Sequence, residues 1–232
     1  MDRIVLITGS TRGIGYATAA EFLKHDDRVI VFCRHEVHTD VAVRRLGGIG
    51  NEQNVLGLVG DVREEKDVKK IVGQSLRYYG RIDVLINNAG VAAYRSIEET
   101  SGKEFDRIIE TNLKGTFLFM RHVIPVMKRE KKGVIINISS AMGIEAEADF
   151  SAYSASKFGV IGLTKAAAEE ISEQQIPVYG VLPWAVDTTL LAGSGLELDP
   201  ADVLEPEYVA RKIFNVAKGT KKSGALIKVY PR

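Results

Sequence analysis

Seven runs of four to six mostly apolar residues recur along this 232-residue chain, starting with RIVLIT at 3–8. The others cover Arg28–Cys33, Val55–Val59, Val84–Asn87, Val134–Ile138, Val178–Leu182 and Ala225–Val229. Each is too short for an independent helix and lacks the polar alternation of a sheet with one wet face, so each reads as a strand covered on both sides. Between them lie longer stretches of helical periodicity; Val68, Ile71, Val72, Leu76 and Tyr79 make one apolar stripe. Strand and helix therefore alternate throughout. That pattern predicts an α/β fold: a doubly wound parallel β-sheet of about seven strands with helices on both faces, an α/β/α sandwich. No linker, repeat or low-complexity segment interrupts it, and residues 1–232 read as a single domain, with 47–54 a loop before the third strand.

With 45% hydrophobic and 26% charged residues, a chain of this length buries a sizeable core without staples. A net charge of +1 gives no electrostatic case for nucleic acid or an anionic membrane. The single cysteine, Cys33, excludes an internal disulfide and suits a reducing compartment. No apolar run approaches the length of a membrane span, and a first strand starting at Arg3 leaves no room for a signal peptide. The expectation is a cytoplasmic protein without nucleic-acid or membrane partners.

The first run leads into Thr8-Gly9-Ser10-Thr11-Arg12-Gly13-Ile14-Gly15 and then a helical pattern. Strand, glycine turn and helix in that order bring backbone N–H groups and a positive helix end toward a pyrophosphate, and side chains at Gly9, Gly13 or Gly15 are expected to crowd that approach. The spacing Gly-x-x-x-Gly-x-Gly departs from the Gly-x-Gly-x-x-Gly fingerprint. Farther along, Tyr153 and Lys157 lie four apart in a helical stretch and so share a face, with Ser140 thirteen residues before the tyrosine. A cation beside a phenol is expected to lower its pKa from ~10 by roughly 1–3 units, which makes Tyr153 an acid usable near neutrality. Tyr208 and Lys212 repeat the spacing with Gly195, not a hydroxyl, thirteen residues upstream, and read as an exposed helical pair.

In order, TGSTRGIG, Asn87-Asn88-Ala89-Gly90, Asn112 in NLKG, Ile138-Ser139-Ser140 and YSASK resemble the motif series of the short-chain dehydrogenases/reductases, from Arg3 to about Thr188. The resemblance implies a Rossmann-like fold and an oxidoreductase moving hydride between a nicotinamide and a carbonyl or secondary alcohol, with Asn112, Ser140, Tyr153 and Lys157 as its catalytic set. It implies that Tyr153 donates a proton to the carbonyl oxygen and Ser140 a hydrogen bond. Lys157 keeps Tyr153 acidic and meets the nicotinamide ribose; Asn112 holds a water leading to solvent. For the cofactor it implies Gly9, Ser10, Thr11, Arg12, Gly13, Ile14 and Gly15 at the pyrophosphate, Asp61 and Val62 at the adenine, and Asn88, Ala89 and Gly90 on the adenosine ribose side. Pro183, Val186 and Thr188 fall near the nicotinamide, where Val186 offers backbone atoms to the carboxamide. NAD-selective relatives carry an acid at the end of the second strand, where this chain has Cys33 followed by Arg34. A guanidinium there suits a 2′-phosphate, with Arg12 as a second cation, so NADP(H) is expected to be preferred and NAD(H) possible. Packing of the helices at 103–127 and 151–173 against symmetry mates implies a homodimer or homotetramer.

Two substrate readings stand side by side: a 3-oxoacyl-carrier-protein reductase, and an enzyme for a more general small-molecule carbonyl or alcohol. Lys128 and Arg129 suit an acidic carrier, whereas Gln174 stands where such relatives place a docking arginine. Glu145, Glu147 and Asp149 are expected to border the substrate entrance, and 187–205 reads as a mobile lid with Gly193 and Gly195 granting flexibility. Trp184 replaces the glycine usual after the sixth strand, and reads as a tolerated loop substitution or as a wall near the nicotinamide. Cys33, His35, His38 and Asp40 lack zinc-site spacing, and no metal is expected. Two further classes stay open. One is a catalytically silent nucleotide-sensing or scaffold protein of the same fold; the other is an epimerase or dehydratase, for whose substrate domain only the segment after Thr188 is available.

Overall fold

The computed structural model describes residues 2–193 and 198–231. In chain order its principal elements are β1 Ile4–Thr8, α1 Gly13–Leu23, β2 Arg28–Cys33, α2 Glu36–Gly47, β3 Val55–Val59, α3 Glu65–Tyr79, β4 Val84–Asn87, α4 Gly102–Ile109, α5 Gly115–Glu130, β5 Val134–Ile138, α6 Ser151–Glu170, β6 Val178–Pro183, α7 Thr189–Ala192, α8 Pro206–Val216 and β7 Leu226–Val229. The strands form one parallel sheet in the order β3-β2-β1-β4-β5-β6-β7. This is the Rossmann-like arrangement.

Strand periodicity decides which core each residue enters. Ile4, Leu6, Ile30 and Phe32 point to one face and pack with Val68, Ile71 and Val72 of α3, Phe119 and Val123 of α5, and Ala167 of α6. Their neighbours Val5, Ile7, Val29 and Val31 point to the other, against Phe22 of α1, Leu46 of α2 and Ile213 of α8. Each large side chain buried in this way contributes roughly 1.5–3 kcal/mol. The strand ends opposite the site are tied by Arg3, whose guanidinium pairs with the fully buried Asp27 and lies 4.9 Å from the ring centres of both Phe22 and Phe214.

Four boundaries differ from the sequence expectation, the first being β1, which starts at Ile4 rather than Arg3. The segment 47–54 is not wholly loop: α2 takes Gly47, and Glu52–Asn54 forms a 3-10 turn capped by the Asn51 side chain. β6 runs on to Pro183, which is paired with Val229, and β7 starts at Leu226 because the Ala225 N–H closes a turn onto Lys222 O at 3.2 Å. The edge strands β3 and β7 are only partly buried, with Lys228 exposed on the second, as an edge that must resist further pairing requires. Tyr208 and Lys212 sit on α8 with the ammonium 5.1 Å from the ring centre, half-buried rather than exposed, because Tyr208 packs onto the core.

The order reverses between β1 and β4: the chain leaves β1 toward β2 and β3, then returns to pair β4 on β1's other side. Such a switch opens a crevice at the carboxyl ends of the strands. The glycine turn after β1 and Asn88 after β4 meet there.

Candidate active site

Asn88 stitches the crevice together. Its N–H and that of Ala89 donate to Thr8 Oγ1 at 2.9 and 2.8 Å, and its Nδ2 donates to the carbonyls of Thr8 and Gly9 at 2.9 and 3.0 Å. Gly9 holds φ +63°, and a Cβ on it would lie 2.9 Å from Ala89 Cα; one on Gly15 would strike the Gly9 carbonyl and Asn88 Nδ2. At these two positions the chain's own packing forbids a side chain, so crowding of a ligand is not the first reason for glycine. Ser10 is likewise internal: fully buried, its Oγ donates to Ile7 O and accepts from Phe32 N at 2.9 Å each. What remains available at the crevice is backbone and cation. Arg12 is the exposed N-cap of α1 and makes no side-chain cap bond, and the first turn of the helix carries no acid. Arg12, Gly13, Ile14, Asn88 and Gly90 line one end of a cavity of about 460 Å³. Such a cradle of helix N–H groups, glycine and guanidinium fits a dinucleotide's phosphates. Thr11 adjoins it, and Thr188 closes over Gly13, its Cγ2 3.1 Å from where a Cβ would stand.

The same cavity reaches Ser140, Tyr153 and Lys157. Ser140 follows β5 and caps a 3-10 turn at Ala141–Gly143, its Oγ accepting the Met142 N–H at 3.2 Å. Tyr153 stands in the first turn of α6, in hydrogen-bond contact with Ser140. Lys157 lies one turn on, buried, its Nζ 5.6 Å from the Tyr153 ring centre and donating to Ile138 O at 2.9 Å. The expected lowering of the Tyr153 pKa is not found. Burial pushes the phenol up to about 12, against the smaller opposing effect of Ser140, and burial pushes Lys157 down to about 8. Desolvation disfavours both charged forms. Ser139 is structural, its Oγ donating to Lys157 O at 2.9 Å.

Asn112 is 1% exposed and sits in a π-turn, Glu110–Lys114, that joins α4 to α5. Its Oδ1 accepts the Val91 N–H at 2.8 Å, and its Nδ2 donates to Val91 O and Ser156 Oγ at 2.9 Å each. Ser156 Oγ in turn donates to Tyr153 O at 2.7 Å. Val91 and Ser156 thus belong to the support of the site although no sequence pattern singles them out; the serine inside YSASK was the available signal. A second buried chain runs from Asn87 Nδ2 to Asn137 Oδ1 at 2.8 Å and from Asn137 Nδ2 to Thr164 Oγ1 at 2.9 Å. Asn87 is accordingly a strand residue whose amide is bonded inside the sheet.

Residues 3–198 match the short chain dehydrogenase family. The chain belongs to the short-chain dehydrogenases/reductases. Levodione reductase of Leifsonia aquatica is 32% identical over 216 residues, 93% of this chain and 80% of that protein. Among solved structures, ElxO with bound NADP superposes with TM-score 0.91 at 30% identity, covering 99% of this chain and 97% of that one. The 3-ketoacyl-(acyl-carrier-protein) reductase of Brucella melitensis, complexed with NADH, gives 0.91 at 28% identity, covering 98% and 96%. This short-chain dehydrogenase/reductase is therefore an NAD(P)-dependent oxidoreductase acting between CH–OH and C=O.

In this dehydrogenase/reductase, Arg34, Asp61 and Val62 stand outside the cavity. Arg34 follows β2, and Asp61 lies just beyond the adjacent β3 end. Val62 is buried against the start of α5, 3.0 Å from where a Gly115 Cβ would be. Pro183, Val186 and Thr188 line the cavity at the end of β6, beside Trp184, which packs at a tilt against Tyr230 at 5.4 Å between ring centres. Trp184 is thus a wall. The 187–205 segment is tied at its neck, with Asp187 N donating to Leu204 O and Leu204 N to Ala185 O at 2.9 Å each; Leu190, Leu191 and Leu198 face the cavity, and Gly195 lies outside the described residues. Glu145 and Glu147 line the opposite rim, while Asp149 bonds the Tyr94 hydroxyl and raises that phenol's pKa. At Cys33 the sulfur contacts His35 O at 3.3 Å and Thr39 Oγ1 at 3.5 Å; among the described residues no three His, Cys, Asp or Glu are grouped to hold a metal. No helix among them is long and apolar enough to cross a membrane.

Proposed function

We propose that this enzyme reduces small, largely apolar ketones with NADP(H) in preference to NAD(H), and works as a homodimer or homotetramer. The observation that carries the reading is the convergence of Ser140, Tyr153 and Lys157 at one end of a cavity whose other end is the glycine turn. A nicotinamide bound between them would supply the hydride. Pro183, Val186 and Thr188 would border it, Arg12, Gly13 and Ile14 would hold the phosphates, and the turns after β2 and β3, with Asp61 and Val62, would receive the adenosine. Ser140 donates a hydrogen bond to the carbonyl oxygen, and Tyr153, whose raised pKa keeps it protonated at neutral pH, donates the proton. Proton donation of this kind contributes roughly 10²- to 10⁴-fold, with the rest supplied by positioning.

Ala92, Met142, Phe150, Trp184, Leu190 and Leu191 supply an apolar lining for the substrate body. Glu145 and Glu147 at the rim weigh against an acidic carrier protein, as does Gln174, although the likeness to a 3-ketoacyl-(acyl-carrier-protein) reductase and the exposed Lys128 and Arg129 favour that second reading. The test is a panel of neutral ketones, secondary alcohols and 3-oxoacyl thioesters with both cofactors, run on wild type and Tyr153→Phe. Turnover should fall by more than about 10²-fold in the variant while cofactor affinity changes less than about threefold. Retention of more than a few per cent of the rate would remove Tyr153 from its role. No turnover by wild type would favour the silent scaffold.

A further inference from the structure

Beyond the residues implied by the family motifs, the adenosine end holds a third charged group. The ends of β2 and β3 lie side by side, with Cys33 opposite Val59 and Gly60 N donating to Cys33 O at 3.1 Å. Their next residues therefore meet, and an acid, Asp61, comes to rest 3.9 Å from the guanidinium of Arg34. An ionised acid here opposes a 2′-phosphate in two ways: it repels the anion, and it competes for the arginine that would bind it.

The competition is held off by Arg63. Asp61 Oδ1 accepts from the Arg63 N–H at 3.0 Å and from Nε at 3.1 Å; Oδ2 accepts from Nε at 3.0 Å and Nη2 at 2.7 Å. That is a fork-on-carboxylate pairing, the strongest geometry such groups make. Arg34, by contrast, is too far for a hydrogen bond, and its side chain is 51% exposed against 28% for Arg63 and 16% for Asp61. Burial works against the carboxylate's charge, yet the hydrogen bonds from Arg63 and then the two guanidinium charges hold its pKa below the usual value. Asp61 is thus ionised and already paired.

We propose that Arg63 is a specificity-determining positioning residue: by binding Asp61 at two points it neutralises the acid and leaves Arg34 free for the 2′-phosphate of NADP(H). The inference rests on the NADP(H) preference proposed above. It is tested by calorimetry with 2′-phosphoadenosine 5′-diphosphoribose and adenosine 5′-diphosphoribose, which differ only in the 2′-phosphate, so general damage to the turn cancels in the ratio of their affinities. Wild type should favour the phosphorylated ligand. Arg63→Ala and, as a milder truncation, Arg63→Gln should each reduce that preference by roughly tenfold or more, the size of a charge-assisted contact. In Asp61→Asn, with no acid to restrain, the preference should equal or exceed wild type, and adding Arg63→Ala to it should change the ratio by less than about twofold. A wild type without preference overturns the cofactor reading and this inference with it. A wild type with preference that both Arg63 variants retain overturns the role of Arg63 alone, as does an equal loss with and without Asp61→Asn.

Discussion

At residue scale the site is governed by two buried ionisable groups pushed in opposite senses. Tyr153 rises from 10 to about 12 and Lys157 falls from 10.5 to about 8. For Lys157 the unfolded chain holds its proton more tightly than the fold does, so between about pH 8 and 10.5 stability rises with pH, and below about 8 the full cost of burying an ammonium is present. That cost is on the order of 3 kcal/mol, less the hydrogen bond to Ile138 O. Lys157→Met should therefore abolish turnover yet stabilise the fold at pH 7 by about 1–2 kcal/mol, an advantage that fades as pH approaches 10. For Tyr153 the sign is opposite: the fold holds the proton more tightly, and stability falls between about pH 10 and 12 in both proteins. Chemical denaturation at pH 7 and 10 reads the Lys157 effect, and a methionine variant less stable than wild type at pH 7 would show that the buried charge is not costly. The adjacency of Tyr153 and Lys157 was legible from spacing because a helix places i and i+4 together. The direction of the phenol's shift was not, since it depends on how deeply α6 buries both groups.

At element scale the strands and amphipathic helices were legible because burial imposes periods of two and 3.6 on the sequence, as at Val29–Val31 and Val68–Leu76. Elements held by long-range hydrogen bonds escaped. The π-turn at Glu110–Lys114 inserts one residue into what reads as continuous helix, and its cause is remote: Asn112 clamps Val91 after β4 and Ser156 in α6. The same holds for the neck of the 187–205 segment, where Asp187 and Leu204 are joined across a span no local pattern records. Asn112 consequently has an architectural load beside the water-holding role the family implies for it. Asn112→Ala leaves both polar groups of Val91 without that partner and should cost about 2–4 kcal/mol of stability as well as activity. Urea denaturation measures it, and a loss below about 0.5 kcal/mol would mean that water replaces the amide fully.

At the scale of the whole molecule, both faces of the sheet are covered, yet α4, α5 and α6 retain apolar surface. Phe105 on α4, Phe117 on α5 and Phe158 on α6 are 44, 45 and 45% exposed, on α6 itself and the two helices that precede it. In sequence these phenylalanines are indistinguishable from core residues, because helical period alone cannot separate a face packed within the chain from one packed against another copy. An isologous contact through this face would bury all three and, since α6 carries Tyr153 and Lys157, would brace the helix that presents them. Wild type at micromolar concentration should sediment as a dimer or tetramer. The double substitution Phe117→Glu/Phe158→Glu places like charges across the two-fold axis and should weaken association by more than about 10²-fold, giving monomers with reduced turnover. A wild type that sediments only as monomer, or a double variant that associates as wild type does, would place the interface elsewhere and leave these rings as solvent-facing side chains.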